Sequence, residues 1–148
     1  MSEHSSEPQL PAPPVPQGRY RAALLDGGLA YSAGMTPRRQ GRLVVTGRVG
    51  EDLDAAMAAW AAGLAAGNAL VAVSEAAGGL DRIKRCVRMT VYVRCTDDFT
   101  GLSAVADGAS ETLAARLGEE SLPVRTAVGV RTLPGGAPVE VELIAAVR

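Results

Sequence analysis

Charged side chains interrupt two otherwise apolar, strand-like segments near the C-terminus of this chain. The first segment, Leu122–Arg131, contains Arg125, and the second, Val139–Val147, contains Glu140 and Glu142. Charges in such segments are costly unless they are paired or have a function. The planar guanidinium of Arg125 suits a carboxylate, and Glu140 has the chemistry to hold or activate a water molecule. The two segments therefore predict a site for a small acid, provided that Arg125 and Glu140 meet.

The residue inventory narrows the chemistry that this site can perform. His4 and Lys84 are the single histidine and the single lysine, and Cys86 and Cys95 lack the spacing of metal ligands. This excludes Ser-His-Asp and Cys-His catalysis and histidine-bound zinc, and nearly excludes lysine Schiff bases. We therefore expect catalysis by arginine, carboxylates, tyrosine, backbone groups and water, with no metal and no cofactor. The two cysteines are expected to fill apolar space rather than to form a disulfide.

Length and charge limit the possible partners. The chain has 148 residues, enough for one domain, and its net charge of −1 gives no general attraction to nucleic acid or to an anionic membrane. No uninterrupted apolar run reaches the length of a membrane span, and the N-terminus lacks the pattern of a signal peptide. We expect a cytoplasmic protein that binds a small molecule, with neither nucleic acid nor membrane as partner.

The pattern along the chain predicts a flexible, proline-rich tail over residues 1–17 and one domain over residues 18–148. Two strands, a hairpin turn at Asp26-Gly-Gly28 and a short extended piece come first. A long helix, an alternating strand, a second helix and two further strands follow. In order, the predicted elements cover residues 20–25, 29–32, 42–46, 52–77, 81–93, 103–117, 122–131 and 139–147.

Three finer expectations accompany these elements. One face of the first helix carries a stripe of large residues with Asn68 on it, which we expect to be a hydrogen-bonded packing residue. In the middle strand, strict alternation places Val87 with Met89 and Cys86 with Tyr92. The second helix has an apolar face formed by Ala106, Ala109, Leu113 and Leu117.

The element order β-β-(β)-α-β-α-β-β is typical of an α+β domain with helices on one face of a single mixed sheet. We expect a second subunit to cover the other, partly polar face. If the last two strands form a hairpin, Arg125 and Glu140 face each other. The simplest interpretation of such a pair is a solvated cross-strand ion pair, worth about 0.2–1 kcal/mol. The functional interpretation is a cleft in which Arg125 binds an anionic substrate and Glu140 interacts with a water molecule.

From Gly18 onward the chain resembles the Rid (YjgF) family of enamine/imine deaminases, in a divergent branch with an Asp107-Gly-Ala-Ser110 segment. The most specific match is Pro123-Val-Arg125-Thr-Ala-Val-Gly-Val, followed by Leu133-Pro and Val139-Glu-Val-Glu142. Weaker matches are Arg19-Tyr20, Ser32-Ala-Gly34, Val91-Tyr-Val93 and Asp98-Phe99.

The resemblance implies a chorismate-mutase-like α+β fold, with two helices on one face of a mixed, mainly antiparallel sheet. It also implies a barrel-like homotrimer with sites between subunits. The implied reaction is the cofactor-independent hydrolysis of a 2-imino or enamine acid to a 2-keto acid and ammonia. Arg125 would bind the substrate carboxylate and Glu140 the water. The substrate-binding positions implied or expected beside them are Tyr20, Gly34, Tyr92, Asp107 and Ala127.

Four positions depart from the pattern of the better-known deaminases, and these departures concern the substrate more than the fold. Ala33 replaces a serine, Met35 a residue that is usually polar, Asp107 an asparagine, and Ala127 a residue that is often cysteine. An aspartate near an anionic substrate is unfavourable on charge alone.

Three alternatives to a deaminase remain open. The cleft could serve a non-catalytic module that senses a small acid such as a 2-keto acid. An endoribonuclease is disfavoured by the net charge and by the lack of a histidine or lysine near a scissile phosphate. A chorismate mutase rests on fold analogy alone.

Overall fold

Seven strands and two α-helices follow one another in the computed structural model, which describes residues 10–148. In chain order they are β1 (Ala23–Asp26), β2 (Leu29–Ser32), β3 (Arg38–Arg39), β4 (Arg42–Leu43), α1 (Ala55–Ala77), β5 (Ile83–Arg94), α2 (Leu102–Leu117), β6 (Val124–Val130) and β7 (Val139–Val147). The predicted third extended piece is reduced to β4, which pairs only with β3 in a separate small hairpin.

The main sheet has the strand order β1-β2-β7-β5-β6. Neighbouring strands are antiparallel except β5 and β6, which are parallel and are connected through α2. The predicted hairpin between the last two strands is therefore wrong, because β5 lies between them. A parallel strand needs a crossover, and the α2 crossover returns β6 to the outer edge of β5. Residues 131–138 then carry the chain across to the other side of β5.

The core lies between the two helices and one face of this sheet, as the element order predicts. The core side chains of the two central strands alternate along each strand and are almost completely inaccessible to solvent: Met89, Val91 and Val93 from β5, and Val139, Val141 and Leu143 from β7. We call this side the helix face and the opposite side the open face. On the open face, the registered row Leu24, Tyr31, Ile144, Arg88 and Val124 crosses all five strands.

Helix α1 begins where the Asp54 carboxylate accepts a hydrogen bond of 2.8 Å from the Met57 backbone nitrogen. It ends at Gly78, whose φ of 98° places it in the left-handed region that favours glycine. The large residues Met57 and Trp60 are nearly half exposed, whereas the alanine-rich face is buried. The face of α1 that packs in the core is thus the face with small residues. The stripe of large side chains on α1 does not mark the buried face.

Close helix contact explains this choice of face. A Cβ atom at Gly108 of α2 would overlap the backbone carbonyl of Ala59 in α1. Small residues on both helices let the two backbones approach to this distance, and larger ones would push them apart. The apolar face of α2 is as predicted, with Ala106, Ala109 and Leu113 buried. The two helices therefore form one tightly packed layer.

Strand β5 departs from strict alternation in its first half. The register with β7 shifts between Ile83 and Arg85 and again between Cys86 and Arg88. These irregularities turn Cys86 into the core and leave Val87 partly exposed, opposite to the alternation prediction. From Met89 onward the alternation is regular, so the half of β5 that adjoins the candidate site residues follows the prediction.

The loop after β2 is hydrogen-bonded to both the sheet and α1. Met35 exchanges two backbone hydrogen bonds of 2.8 Å with Val141. The buried Asn68 side chain donates to the backbone carbonyls of Thr36 and Arg38, at 3.1 and 3.0 Å. The expectation that Asn68 is a hydrogen-bonded packing residue is confirmed. Gly34 is therefore held in a fixed position over β7.

The N-terminal tail predicted for residues 1–17 lies partly outside the described residues. Within the described part, Leu10 packs against the core. Helix α1, although long and apolar enough by composition for a membrane span, has 67% of its most apolar window buried inside the fold. This burial identifies α1 as the central core helix of the domain.

Candidate active site

Arg125 lies on the helix face of the edge strand β6. It is in register with the buried Met89, and its guanidinium extends to the exposed rim of α2 rather than into the core. The Arg125 side chain is 22% exposed. The position combines a rigid strand attachment with solvent access, which a ligand-binding arginine requires.

Three side chains of α2 hold the two terminal nitrogens of this guanidinium. Nη1 donates to Oδ1 of Asp107 at 2.7 Å and to Oγ of Ser110 at 2.9 Å. Nη2 donates to Oγ of Ser103 at 2.9 Å, with the Ser103 carbonyl further away at 3.5 Å. We call these four residues the α2 cluster. The cluster fixes the guanidinium and neutralises its charge with a carboxylate of the same chain.

Ser103 and Ser110 are site residues that the sequence prediction missed. They stand four residues before and three residues after Asp107, so the three lie on one face of α2. This spacing was visible in the sequence. The spacing alone does not connect these serines with Arg125, because the predicted hairpin places Glu140, rather than α2, opposite Arg125.

Glu140 lies on the open face of β7, against Gly34. A Cβ atom at Gly34 would overlap the Glu140 carboxylate, so any other residue there would displace the carboxylate from this position. The Met35–Val141 hydrogen bonds hold the glycine backbone at that place. Glu140 thus has a defined position, because the neighbouring loop is shaped around its carboxylate.

The surroundings of Glu140 favour its protonated form. Burial, and secondarily the nearby Glu142 carboxylate, raise the pKa of Glu140 above its ordinary value. Tyr92, in register with Glu140, donates a hydrogen bond of 2.8 Å to Oε1 of Glu142. This hydrogen bond, with some burial and the negative charge of both glutamates, raises the pKa of Tyr92. We call Glu140, Glu142, Tyr92 and Gly34 the Glu140 cluster.

The remaining expected site residues divide between the two clusters. Tyr20 is half exposed and lines a small depression with Gly34 and Met35, on the side of the Glu140 cluster. Its hydroxyl accepts a hydrogen bond of 3.0 Å from the Gln17 backbone nitrogen. Ala127 is the next residue after Arg125 on the helix face of β6 and packs against the core.

Within one chain, Arg125 and Glu140 do not meet. Arg125 is in register with Met89 and Glu140 with Tyr92, three residues further along β5, so their side chains leave the sheet on opposite faces. Strand β5 also separates the two strands. The prediction that a hairpin brings the pair together is wrong for a single chain. The cross-strand ion pair is wrong for the same reason, since the ion partner of Arg125 is Asp107.

The cysteines have the character of packing residues. Both are free, and burial raises the pKa of the Cys86 thiol to about 11, which keeps it protonated at neutral pH. Burial and, secondarily, Asp97 also raise the pKa of the Cys95 thiol. Across residues 10–148, no group of three or more His, Cys, Asp or Glu side chains is arranged to hold a metal ion.

Comparison with known proteins gives a consistent result. Residues 11–147 match the profile of the family described as Endoribonuclease L-PSP. A curated relative, protein TCP17 of Trypanosoma cruzi, is 35% identical over 137 residues, which cover 92% of this chain and 86% of the relative.

Solved structures extend the similarity to the fold. Atu1372 of Agrobacterium tumefaciens, a protein of unknown function, is 37% identical with a TM-score of 0.84, and the match covers 88% of this chain and 82% of the other. A putative endoribonuclease of Shewanella oneidensis is 27% identical with a TM-score of 0.88, over 94% and 92% of the two chains. RidA of an Antarctic Psychrobacter is 25% identical with a TM-score of 0.64, over 94% and 99%. The expected chorismate-mutase-like α+β fold is confirmed.

Proposed function

This chain belongs to the Endoribonuclease L-PSP family, which includes the YjgF and RidA proteins, and we propose that it hydrolyses 2-imino or enamine acids to 2-keto acids and ammonia. The observation that carries the proposal is the α2 cluster. It presents a fixed guanidinium at a solvent-accessible rim, and the residues around it contain no strong nucleophile. Such a site can bind and orient a small acid for attack by water.

Arg125 supplies the binding step in this proposal. Guanidinium groups form short, directional hydrogen bonds with carboxylates. Ser103 and Ser110 hold the group in place, so little side-chain freedom is lost when a ligand binds. Imines hydrolyse readily, so orientation beside a positioned water is the principal contribution required of the protein.

Glu140 supplies the water side of the reaction. A carboxyl group with a raised pKa is a stronger base than an ordinary carboxylate, and it can accept a proton and return it during the reaction. The carboxylate takes a proton from water as the oxygen adds to the imine carbon. The carboxyl group returns this proton to the carbinolamine nitrogen, the C–N bond breaks as ammonia leaves, and ammonia takes the hydroxyl proton as the carbonyl group forms. In balance, a protonated imine and one water give a carbonyl group and an ammonium ion.

A second copy of the chain brings the two clusters together in this proposal. The open face carries large side chains that are exposed in one chain: Val124, at 65%, and Val128 lie on β6, and Leu24 and Tyr31 lie on the far side of the same face. Within residues 10–148, no strand pairs with the outer edges of β1 and β6. A symmetric homo-oligomer, expected to be a trimer, would cover this face and place Glu140 of one copy near Arg125 of another.

The test is an imine-hydrolysis assay in which an amino-acid oxidase generates the imine and keto-acid or ammonia release is followed. The protein should accelerate release, and Arg125→Ala should lower that acceleration about a hundredfold or more, because the substrate loses its orientation. Arg42→Ala, which removes an exposed arginine of β4, is the matched control and should retain full activity. Equal activity in the Arg125 and Arg42 variants would refute the proposal.

A further inference from the structure

The Arg125 guanidinium is already paired with a carboxylate of its own chain, which changes what it can select. Its contact with Asp107 is short, at 2.7 Å, yet the Asp107 side chain is 62% exposed. An incoming ligand therefore meets a neutral ion pair with a solvent-facing carboxylate, rather than an isolated positive charge. A simple anion gains the attraction of Arg125 but also the repulsion of Asp107.

We propose that Asp107 is a specificity-determining residue that disfavours the anionic keto acid relative to the zwitterionic imino acid. This inference rests on the proposed function, because it assigns substrate and product to the site at Arg125. Asp107 thereby limits retention of the product, which carries the same carboxylate as the substrate.

Charge counting supports this role. A protonated 2-imino acid carries one negative carboxylate and one positive nitrogen, whereas the 2-keto acid carries the carboxylate alone. Hydrolysis releases the positive charge with ammonia. Near Asp107 the zwitterion has one attractive and one repulsive contact, which largely cancel. The keto acid has only the repulsive one, so the reaction itself converts a tolerated ligand into a disfavoured one.

The geometry of the pair fits a zwitterion. In a 2-imino acid the carboxylate and the nitrogen are attached to neighbouring carbons. Arg125 and Asp107 likewise present opposite charges side by side at the rim of α2. A zwitterion can lie against this pair in the reverse sense, with its carboxylate toward Arg125 and its nitrogen toward Asp107. Ser103 and Ser110 keep Arg125 in place when its contact with Asp107 is shared with the ligand.

The size of the effect follows from the exposure of Asp107. Two like charges about 4 Å apart in water-like surroundings weaken binding about fivefold, and burial would enlarge the effect. Because Asp107 is more than half exposed, the water-like figure applies. The Asp107→Asn variant should therefore bind a keto acid about fivefold more tightly than the natural chain.

The experiment uses pyruvate as the anionic probe and L-alanine as a stable zwitterion of the same carbon skeleton. Dissociation constants for both are measured by NMR titration for the natural chain, Asp107→Asn, Asp107→Glu and Arg125→Ala. Glu75→Gln, which removes an exposed carboxylate near the C-terminal end of α1 and away from the α2 cluster, is the matched control. We expect tighter pyruvate binding and nearly unchanged L-alanine binding only in Asp107→Asn. Inhibition of imine hydrolysis by pyruvate should strengthen by the same factor.

The outcomes separate this inference from the proposed function. Unchanged pyruvate affinity in Asp107→Asn, with loss of both ligands in Arg125→Ala, would overturn the role of Asp107 and leave the carboxylate site intact. Unchanged binding of both ligands in Arg125→Ala would overturn the proposed function itself. An equal gain in pyruvate affinity in Glu75→Gln would show that the effect comes from net charge and would also count against Asp107.

Discussion

The placement of Arg125 and Glu140 on opposite faces leads to a test by subunit mixing. Arg125→Ala and Glu140→Gln are each expected to be inactive alone, because every site in the proposed homo-oligomer then lacks one of the two groups. When the two variants are unfolded, mixed in equal amounts and refolded, some sites receive Arg125 from one copy and Glu140 from the next. Activity should then return without either single variant being active.

The expected yield follows from random assortment. A shared site is intact when the copy that supplies Arg125 carries the natural arginine and the copy that supplies Glu140 carries the natural glutamate. Each condition holds for half of the chains, so about one quarter of the sites are restored in a symmetric ring of any size. Imine hydrolysis should recover to about one quarter of the natural rate at equal total protein.

A second mixture provides the internal control. The natural chain mixed in equal amounts with the double variant Arg125→Ala/Glu140→Gln should also retain about one quarter of the activity if sites are shared between copies. If each chain contained a complete site, the control mixture would retain about one half and the mixture of single variants would have none. That second pattern would refute the shared site and the structural reasoning behind it.

Two further predictions concern stability, both measured by urea unfolding at fixed protein concentration. Gly108→Ala should lower the free energy of unfolding by about 1–3 kcal/mol, because the new methyl group overlaps the Ala59 carbonyl. Gly67→Ala, where a Cβ meets only Thr112 at 3.9 Å, should raise it by about 0.5–1 kcal/mol. Equal effects of the two substitutions would contradict the close helix packing. Because the folded-state pKa of Glu140 is raised, its contribution to stability is lost as pH rises from the ordinary carboxyl range through the raised value. Glu140→Gln, which cannot ionise, should therefore gain stability relative to the natural chain as the pH rises from 4 to 7. If the difference in the free energy of unfolding between the two proteins were the same at both pH values, the burial of the Glu140 carboxyl group would be contradicted.

Much of the fold could be predicted because local signals agree with it. The Asp26-Gly-Gly28 turn, the ends of α1 and the apolar face of α2 all depend on neighbouring residues, and the structure confirms them. The face of α1 could not be inferred from its large residues. Burial there is decided by how closely two helices approach, and that depends on the partner helix as well as on α1.

Only part of the candidate site could be predicted from the sequence. The local pattern singled out Arg125 and Glu140, but which strand lies beside which is a long-range property. The α2 crossover places β6 on one edge of β5 and β7 pairs with the other edge, and no local signal distinguishes that arrangement from a hairpin. The same error concealed Ser103 and Ser110, whose relation to Arg125 exists only because α2 crosses over β6.

The crossover has a consequence for how this protein family can diversify. Every member of the α2 cluster lies between Ser103 and Arg125, a single uninterrupted stretch of chain, whereas Glu140 and Gly34 belong to distant segments. In the proposed function, the substrate-binding half of the site can therefore change at the exposed rim of this one stretch, without a change in the segments that carry Glu140 and Gly34. Relatives with different ligands can thus differ at rim positions such as Ser103, Asp107 and Ser110, while the face of α2 that packs on α1 stays the same.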